Sequence, residues 1–146
     1  MKTLFLLQLV STFYMVGLIW FVQIVHYPMF ALVGRARFTH YQQIHQLRTS
    51  FVVGPMMLTE AATTVAIVYW PPPGMGPVFT WTGVGLLFVV WISTACLQVP
   101  RHHVLASRFS PRHLRGLVIS NWIRTFAWTA RGILLLIYLF QVFPEY

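Results

Sequence analysis

Acidic residues are almost missing from this chain: among 146 residues only Glu60 and Glu145 carry a carboxylate side chain, and there is no aspartate. Charged residues of both signs amount to 8%, whereas an ordinary soluble domain carries about 25%. So little charge excludes a conventional water-facing surface and places the chain in the membrane class. The net charge of +8 reflects absent carboxylates more than abundant cations. A nucleic-acid-binding face needs basic residues clustered on a solvated domain. Here they flank apolar runs, so nucleic acid is excluded as a partner and the anionic surface of a lipid membrane takes its place. A single cysteine, Cys96, rules out an intramolecular disulfide, a Cys-rich zinc site and a CxxC redox motif. Lying inside an apolar run, it is expected as a small buried core residue.

What the chain does have is 58% hydrophobic and 16% aromatic residues, gathered into four apolar runs at about 4–25, 51–70, 78–99 and 117–140. The first would be about 33 Å long as a helix, enough to cross a hydrocarbon layer of about 30 Å. Lys2 in front of it resembles the start of a signal peptide. The run is too long for one and no small-x-small cleavage site follows, so a retained helix is expected. The fold class that results is all-α: one transmembrane domain over 1–146, built as an integral membrane four-helix bundle.

Local signals refine the boundaries. Pro28 is expected to end or turn the first helix, and Gly54-Pro55 to kink the second. The uncharged PPPGMGP segment at 71–77 makes a turn, with Trp70 and Trp81 as an interfacial aromatic belt. Phe38, Tyr41, His45, Arg48 and Val52 recur at helical steps, so a short amphipathic helix is expected before the second span, running straight into it. Another is expected before the fourth, opened by Ser110 as cap and Pro111 as first residue. Arg35, Arg37 and Arg48 lie in the first loop and Arg101, Arg108, Arg112 and Arg115 in the third; the second loop has no Lys or Arg and the termini only Lys2. The positive-inside rule then puts loops one and three in the cytoplasm and both termini outside, in an inner or plasma membrane.

The chemistry is concentrated in the fourth run. Asn121, Arg124, Trp128 and Arg131 step by three, four and three, which holds one helix face. An unpaired charge at mid-membrane costs roughly 2.5–3.5 kcal/mol on insertion scales. Glu60, about 13 Å into the second run, lies at a depth comparable with Arg124 at about 10 Å. These depths predict a Glu60–Arg124 pair and leave Arg131 to find an anionic ligand, a free carbonyl or the interface. Trp91, Thr94, Gln98 and His102 form a matching face on the third run. Thr59, Thr63 and Thr64 are expected to serve helix packing, and Trp128 could wall an aromatic ligand. His26, His45 and His102 are the alternative reading as a metal set, or with haem, although no Glu-x-x-His or His-x-x-x-His spacing supports one; no cofactor is assigned.

Two clusters carry a resemblance. Thr94-x-x-x-Gln98-Val99-Pro100-x-His102-x-x-Leu105, followed after a basic loop by Asn121-Trp122-x-Arg124-Thr125, resembles the small four-helix membrane proteins of the anthrone oxygenase-like family. Those typically close their third helix with a polar-Val-Pro-polar motif and carry Asn-x-x-Arg-Thr early in the fourth. The resemblance covers the second half of the chain, and implies oxidation of a polycyclic phenolic by dioxygen. In that reading Glu60 or His102 would deprotonate the substrate and the arginines would hold the phenolate. The expected function is binding of a small anionic or phenolic amphiphile in the cytoplasmic half of the bundle, with or without its oxidation. The ligand-binding candidates are Arg124, Arg131, Asn121, Gln98, Thr94 and Trp128, and the catalytic ones Glu60 and His102. The alternative is an accessory subunit whose polar seam serves packing against other membrane subunits or a second copy.

Overall fold

The computed structural model describes residues 2–142; Glu145 and the terminal Phe143, Pro144 and Tyr146 lie outside the described residues. Four helices are long and apolar enough to cross a membrane: α1 (Lys2–Leu32), α2 (Arg35–Tyr69), α3 (Pro77–Ser107) and α4 (Pro111–Val142). Each packs against its sequence neighbours, and α4 returns against α1. The result is an up-down-up-down ring. Phe5, Leu135 and Tyr138 meet Met75 and Phe79 at one end, which gathers the start of α1, the end of α4 and the Pro71–Pro73 turn. Tyr27, Phe30, Phe38, Leu105, Leu114 and Leu117 close the other, histidine-bearing end. Between them lies a central layer of Met15, Ile19, Met57, Val90, Ala127 and Trp128.

The helices outrun the apolar runs at Pro28, expected to end or turn the first helix, and at Pro100, which follows the third run. The chain opens into a π turn over Val22–His26, and again over Thr94–Gln98, immediately ahead of Pro28 and Pro100. The amides of Tyr27 and Val99 close these wide turns on the carbonyls of Val22 and Thr94. Each proline then occupies the first positions of a renewed α segment, where its missing N–H is no loss. So α1 continues as far as a 3-10 turn at Phe30–Leu32, and α3 as far as Ser107. The expected basic loop after residue 99 is mostly helix.

The amphipathic stretches are continuous with the spans that follow them. Both are the opening turns of α2 and α4, and α2 runs on through Pro55. The buried face of its first half is Phe38 and Gln42 with His45 and Thr49 partly covered, while Tyr41 and Arg48 of the expected face are exposed. Ser110 accepts from the His113 amide at 3.4 Å, so the capping role expected of it is present, on a 32-residue helix. In the turn, Met75 N–H bonds to the Pro72 carbonyl across Pro73 and Gly74. Gly74 has φ +84°, the left-handed position that a type II turn reserves for glycine. Cys96 is exposed on the outside of α3, contrary to its expected place in the core.

Helices α1 and α4 approach closely at Gly132, where a Cβ would meet Val16 Cγ2 at 3.3 Å and the Phe13 ring at 3.5 Å. Gly17, on the open side of α1, has nothing within 4 Å. Gly132→Leu should therefore destabilise the bundle by about 1–3 kcal/mol through overpacking, whereas Gly17→Ala should not; thermal unfolding in mild detergent measures both.

Candidate functional site

The expected polar face of α4 is real and fully internal: Asn121, Arg124, Trp128 and Arg131 are all buried. It divides into two polar layers, one on each side of Trp128.

The layer nearer the proline turn is built on Glu60. Its Oε1 accepts from Arg131 Nε at 2.9 Å and from the Thr12 hydroxyl at 2.8 Å, and its Oε2 accepts from Trp128 Nε1 at 2.8 Å. Arg131 also donates to the Thr64 hydroxyl at 3.0 Å and to the Gly83 carbonyl. Gln8 closes the network, its Oε1 accepting from Thr63 and Thr64 and its Nε2 donating to Thr12. The expected Glu60–Arg124 pair is thus replaced by Glu60–Arg131. The physical reason lies in where depth is counted from. Residue 51 is not where α2 begins; α2 starts at Arg35, and Glu60 is nine residues from its far end at Tyr69. Arg131 stands eleven residues from the same end of α4 and Arg124 eighteen. Held level by the short turn between α2 and α3 and by the Tyr138 hydroxyl donating to the Pro73 carbonyl at 2.9 Å, Glu60 meets Arg131.

The other layer is built on Arg124, which has no carboxylate partner among the described residues. Its Nε and Nη2 donate to Asn121 Oδ1, Nη1 to the Thr94 hydroxyl at 3.4 Å, and Nη2 to the Tyr27 hydroxyl at 3.4 Å. Asn121 is fixed in turn by donating to Gln23 Oε1 at 2.8 Å. Both π turns serve this layer, Gln23 donating to the Val118 carbonyl at 3.2 Å and Gln98 to the Ser120 hydroxyl at 3.2 Å. A guanidinium has five N–H groups, so one on Nη1 stays free.

Tyr27 is also bonded to His102 Nε2 at 3.1 Å, and Gln42 Nε2 lies 2.6 Å from His102 Nδ1. Tyr27 thus links Arg124 to His102 through one hydroxyl. Gln42 Oε1 is buried without a partner.

Beside this layer is a cavity of about 570 Å³ lined by Tyr27, Thr94, Gln98, His102 and Arg124 at its polar end and by Met15, Ile19 and Met57 among its apolar walls. Arg124, His102, Thr94 and Gln98 are the expected site residues that it brings together. Asn121 and Trp128 stand behind Arg124, with the guanidinium carbon 5.9 Å from the centre of the Trp128 ring. Arg131 and Glu60 are not on the cavity wall. Glu60 is thus withdrawn as a base for a ligand there: both of its oxygens are taken and the side chain is completely buried. Arg131 lines instead a pocket of about 30 Å³ with Gln8 and Thr64, room for one water-sized molecule.

The histidines converge less than a metal set requires. His26 Nε2 and His45 Nδ1 are 3.0 Å apart, so these nitrogens face each other, and both nitrogens of His102 are engaged by Tyr27 and Gln42. Among the described residues no group of three His, Cys, Asp or Glu is arranged to hold a metal ion. Tyr27, Gln8, Ser11 and Thr12 were not anticipated. The last three are buried with Gln23 on one face of α1, a polar stripe that the run's overall apolarity hides. Compared with known proteins, the chain matches no family model, no curated protein and no solved structure.

Removing one member of a buried ion pair leaves the other charge unmatched, at a loss of about 3–5 kcal/mol. Glu60→Gln and Arg131→Met should each destabilise on that scale, and the double variant should lose clearly less than their sum. Additive losses in the same melting assay would show that the two side chains do not interact.

Proposed function

We propose that this is an integral membrane protein that binds a small anionic or phenolic amphiphile, with the ligand's polar head on Arg124 and its apolar part in the adjoining cavity. The observation that carries this reading is the uncompensated guanidinium: Arg124 is 7% exposed, has no carboxylate partner among the described residues, and lies on the wall of a 570 Å³ cavity. Sites that enclose a small organic molecule occupy about 300–1,000 Å³ and combine apolar walls with a few polar groups. The free N–H of Arg124 supplies a charged donor for an oxygen of the ligand, in surroundings where such bonds are strong. The head is the part that needs them.

Support for a membrane orientation comes from the two ends of the bundle. The end formed by Tyr27, Phe38, Leu105 and Leu117 carries the basic residues of the first and third connections, and the opposite end carries Lys2. This reading makes the histidine end cytoplasmic and both termini external, with the ligand's head in the cytoplasmic half. Oxidation by dioxygen, which the resemblance to anthrone oxygenase-like proteins implies, would take a base on the cavity wall. His102 lies on that wall but has both ring nitrogens bonded, to Tyr27 and Gln42, and Glu60 is not on it, so binding rather than oxidation is the reading proposed.

Arg124→Ala should remove binding of 4-pentadecylphenol or palmitate, measured by equilibrium dialysis against protein in lipid nanodiscs, while the protein still inserts and elutes as the wild type does. Unchanged binding of both probes after Arg124→Ala, or binding of neither by the wild type, would overturn the assignment. For the topology, a cysteine placed at Gly34 in a Cys96→Ser background should be protected from a membrane-impermeant maleimide added outside intact cells; labelling from outside would reverse the orientation.

A further inference from the structure

We infer that the ligand reaches Arg124 sideways, from the lipid, through a mouth between α2 and α3, and that Gly54 sets how bulky a chain this passage admits; the inference rests on the Arg124 reading above. The lining from α1 and α4 is buried or half-buried: Met15, Ile19 and Arg124 are buried and Leu18 and Val22 half-buried. On the other side the wall residues are also outer-surface residues. Leu58 of α2 is 62% exposed, and Val99 and Trp91 of α3 are 43% and 37% exposed. A residue can both line a cavity and lie on the outside only at its rim. These rim residues belong to helices apolar enough to cross a membrane, so the mouth faces hydrocarbon, with the exposed lining residues Ser50 and His103 at its polar edge.

The same gap is shut toward the histidine end. Gln46 Nε2 donates to the His102 carbonyl at 2.6 Å and Gln43 Nε2 to the Ala106 carbonyl at 3.1 Å, binding α2 to α3 where an approach from water would have to pass. The lining runs along the same axis: Gln46 and His102 stand at the bonded end, and Leu58 and Trp91 lie about three helical turns away from it along α2 and α3. An amphiphile arriving from a bilayer presents its groups in that order, with the chain trailing in lipid.

Gly54 lies on the α2 wall of this passage, and a Cβ there would meet nothing within 4 Å. No neighbouring side chain requires glycine at this position. Its absent side chain leaves room in the cavity, and it also spares the ring of Pro55 the crowding that a preceding Cβ imposes on helical backbone. Filling the space with a ring would narrow the passage without touching Arg124, Tyr27 or His102.

The test is the dialysis of 4-pentadecylphenol and of short-chained 4-ethylphenol against nanodisc-embedded wild type, Gly54→Phe and Leu58→Trp. Leu58 is on the open surface, so its variant retains the fold if the Pro55 segment makes Gly54→Phe unstable. Both variants should weaken binding of the long-chain probe about tenfold or more, with little change for the short one. Wild-type affinity for the long-chain probe in a folded Leu58→Trp variant would overturn the lateral route. If only Gly54→Phe, folded, retained that affinity, the assignment to Gly54 would fail. If the wild type bound neither probe, the Arg124 reading itself would fall.

Discussion

One carboxylate engages all four helices. Glu60 on α2 accepts from Thr12 on α1 and from Trp128 and Arg131 on α4, and Arg131 passes the tie to α3 through the Gly83 carbonyl. Apolar helices surrounded by lipid gain no hydrophobic drive toward each other, so packing and internal polar bonds decide their relative heights. Charge in such surroundings must be matched within the bundle. With Glu60 spent on Arg131, nothing of opposite charge remains among the described residues for the second arginine, one turn beyond Trp128. The functional proposal is a consequence of that imbalance.

Arg124 is held without a counter-ion by an arrangement of neutral dipoles. Asn121 accepts from it, Gln23 orients Asn121, and Thr94 and Tyr27 accept the remaining directed bonds. Gln23 and Thr94 lie in the π turns. Widening α1 at Val22–His26 and α3 at Thr94–Gln98 turns Gln23 and Gln98 onto α4, and lets each helix pass its proline. Such insertions are frequent at functional positions. In this bundle the same two irregularities extend the helices, position the amides and frame the cavity.

The seam on α4 was legible in the sequence because a straight helix repeats every 3.6 residues and polar groups in an apolar run declare its inner face. The histidine end was partly legible, since Thr94, Gln98 and His102 follow the same rule. Tyr27 was not, being an aromatic residue among many until Arg124 and His102 are brought to its hydroxyl. Gln8, Ser11 and Thr12 were masked by the apolarity around them. Pro28, expected to end or turn the first helix, is passed by it, because the missing N–H and the ring of a proline conflict with an α turn before it and the π turn over Val22–His26 removes that conflict.

By itself the sequence determined that the chain is helical, that four helices have membrane-spanning length, and that at least two guanidinium groups would be enclosed. Those properties follow from composition and period, which are local. Which arginine meets Glu60 was decided only by the tertiary structure, because it depends on the relative height of α2 and α4, and no property of either helix alone specifies that height. The tertiary structure also decided that Arg124, rather than Arg131, faces the cavity. A single carboxylate can neutralise one of two arginines, and packing made the choice.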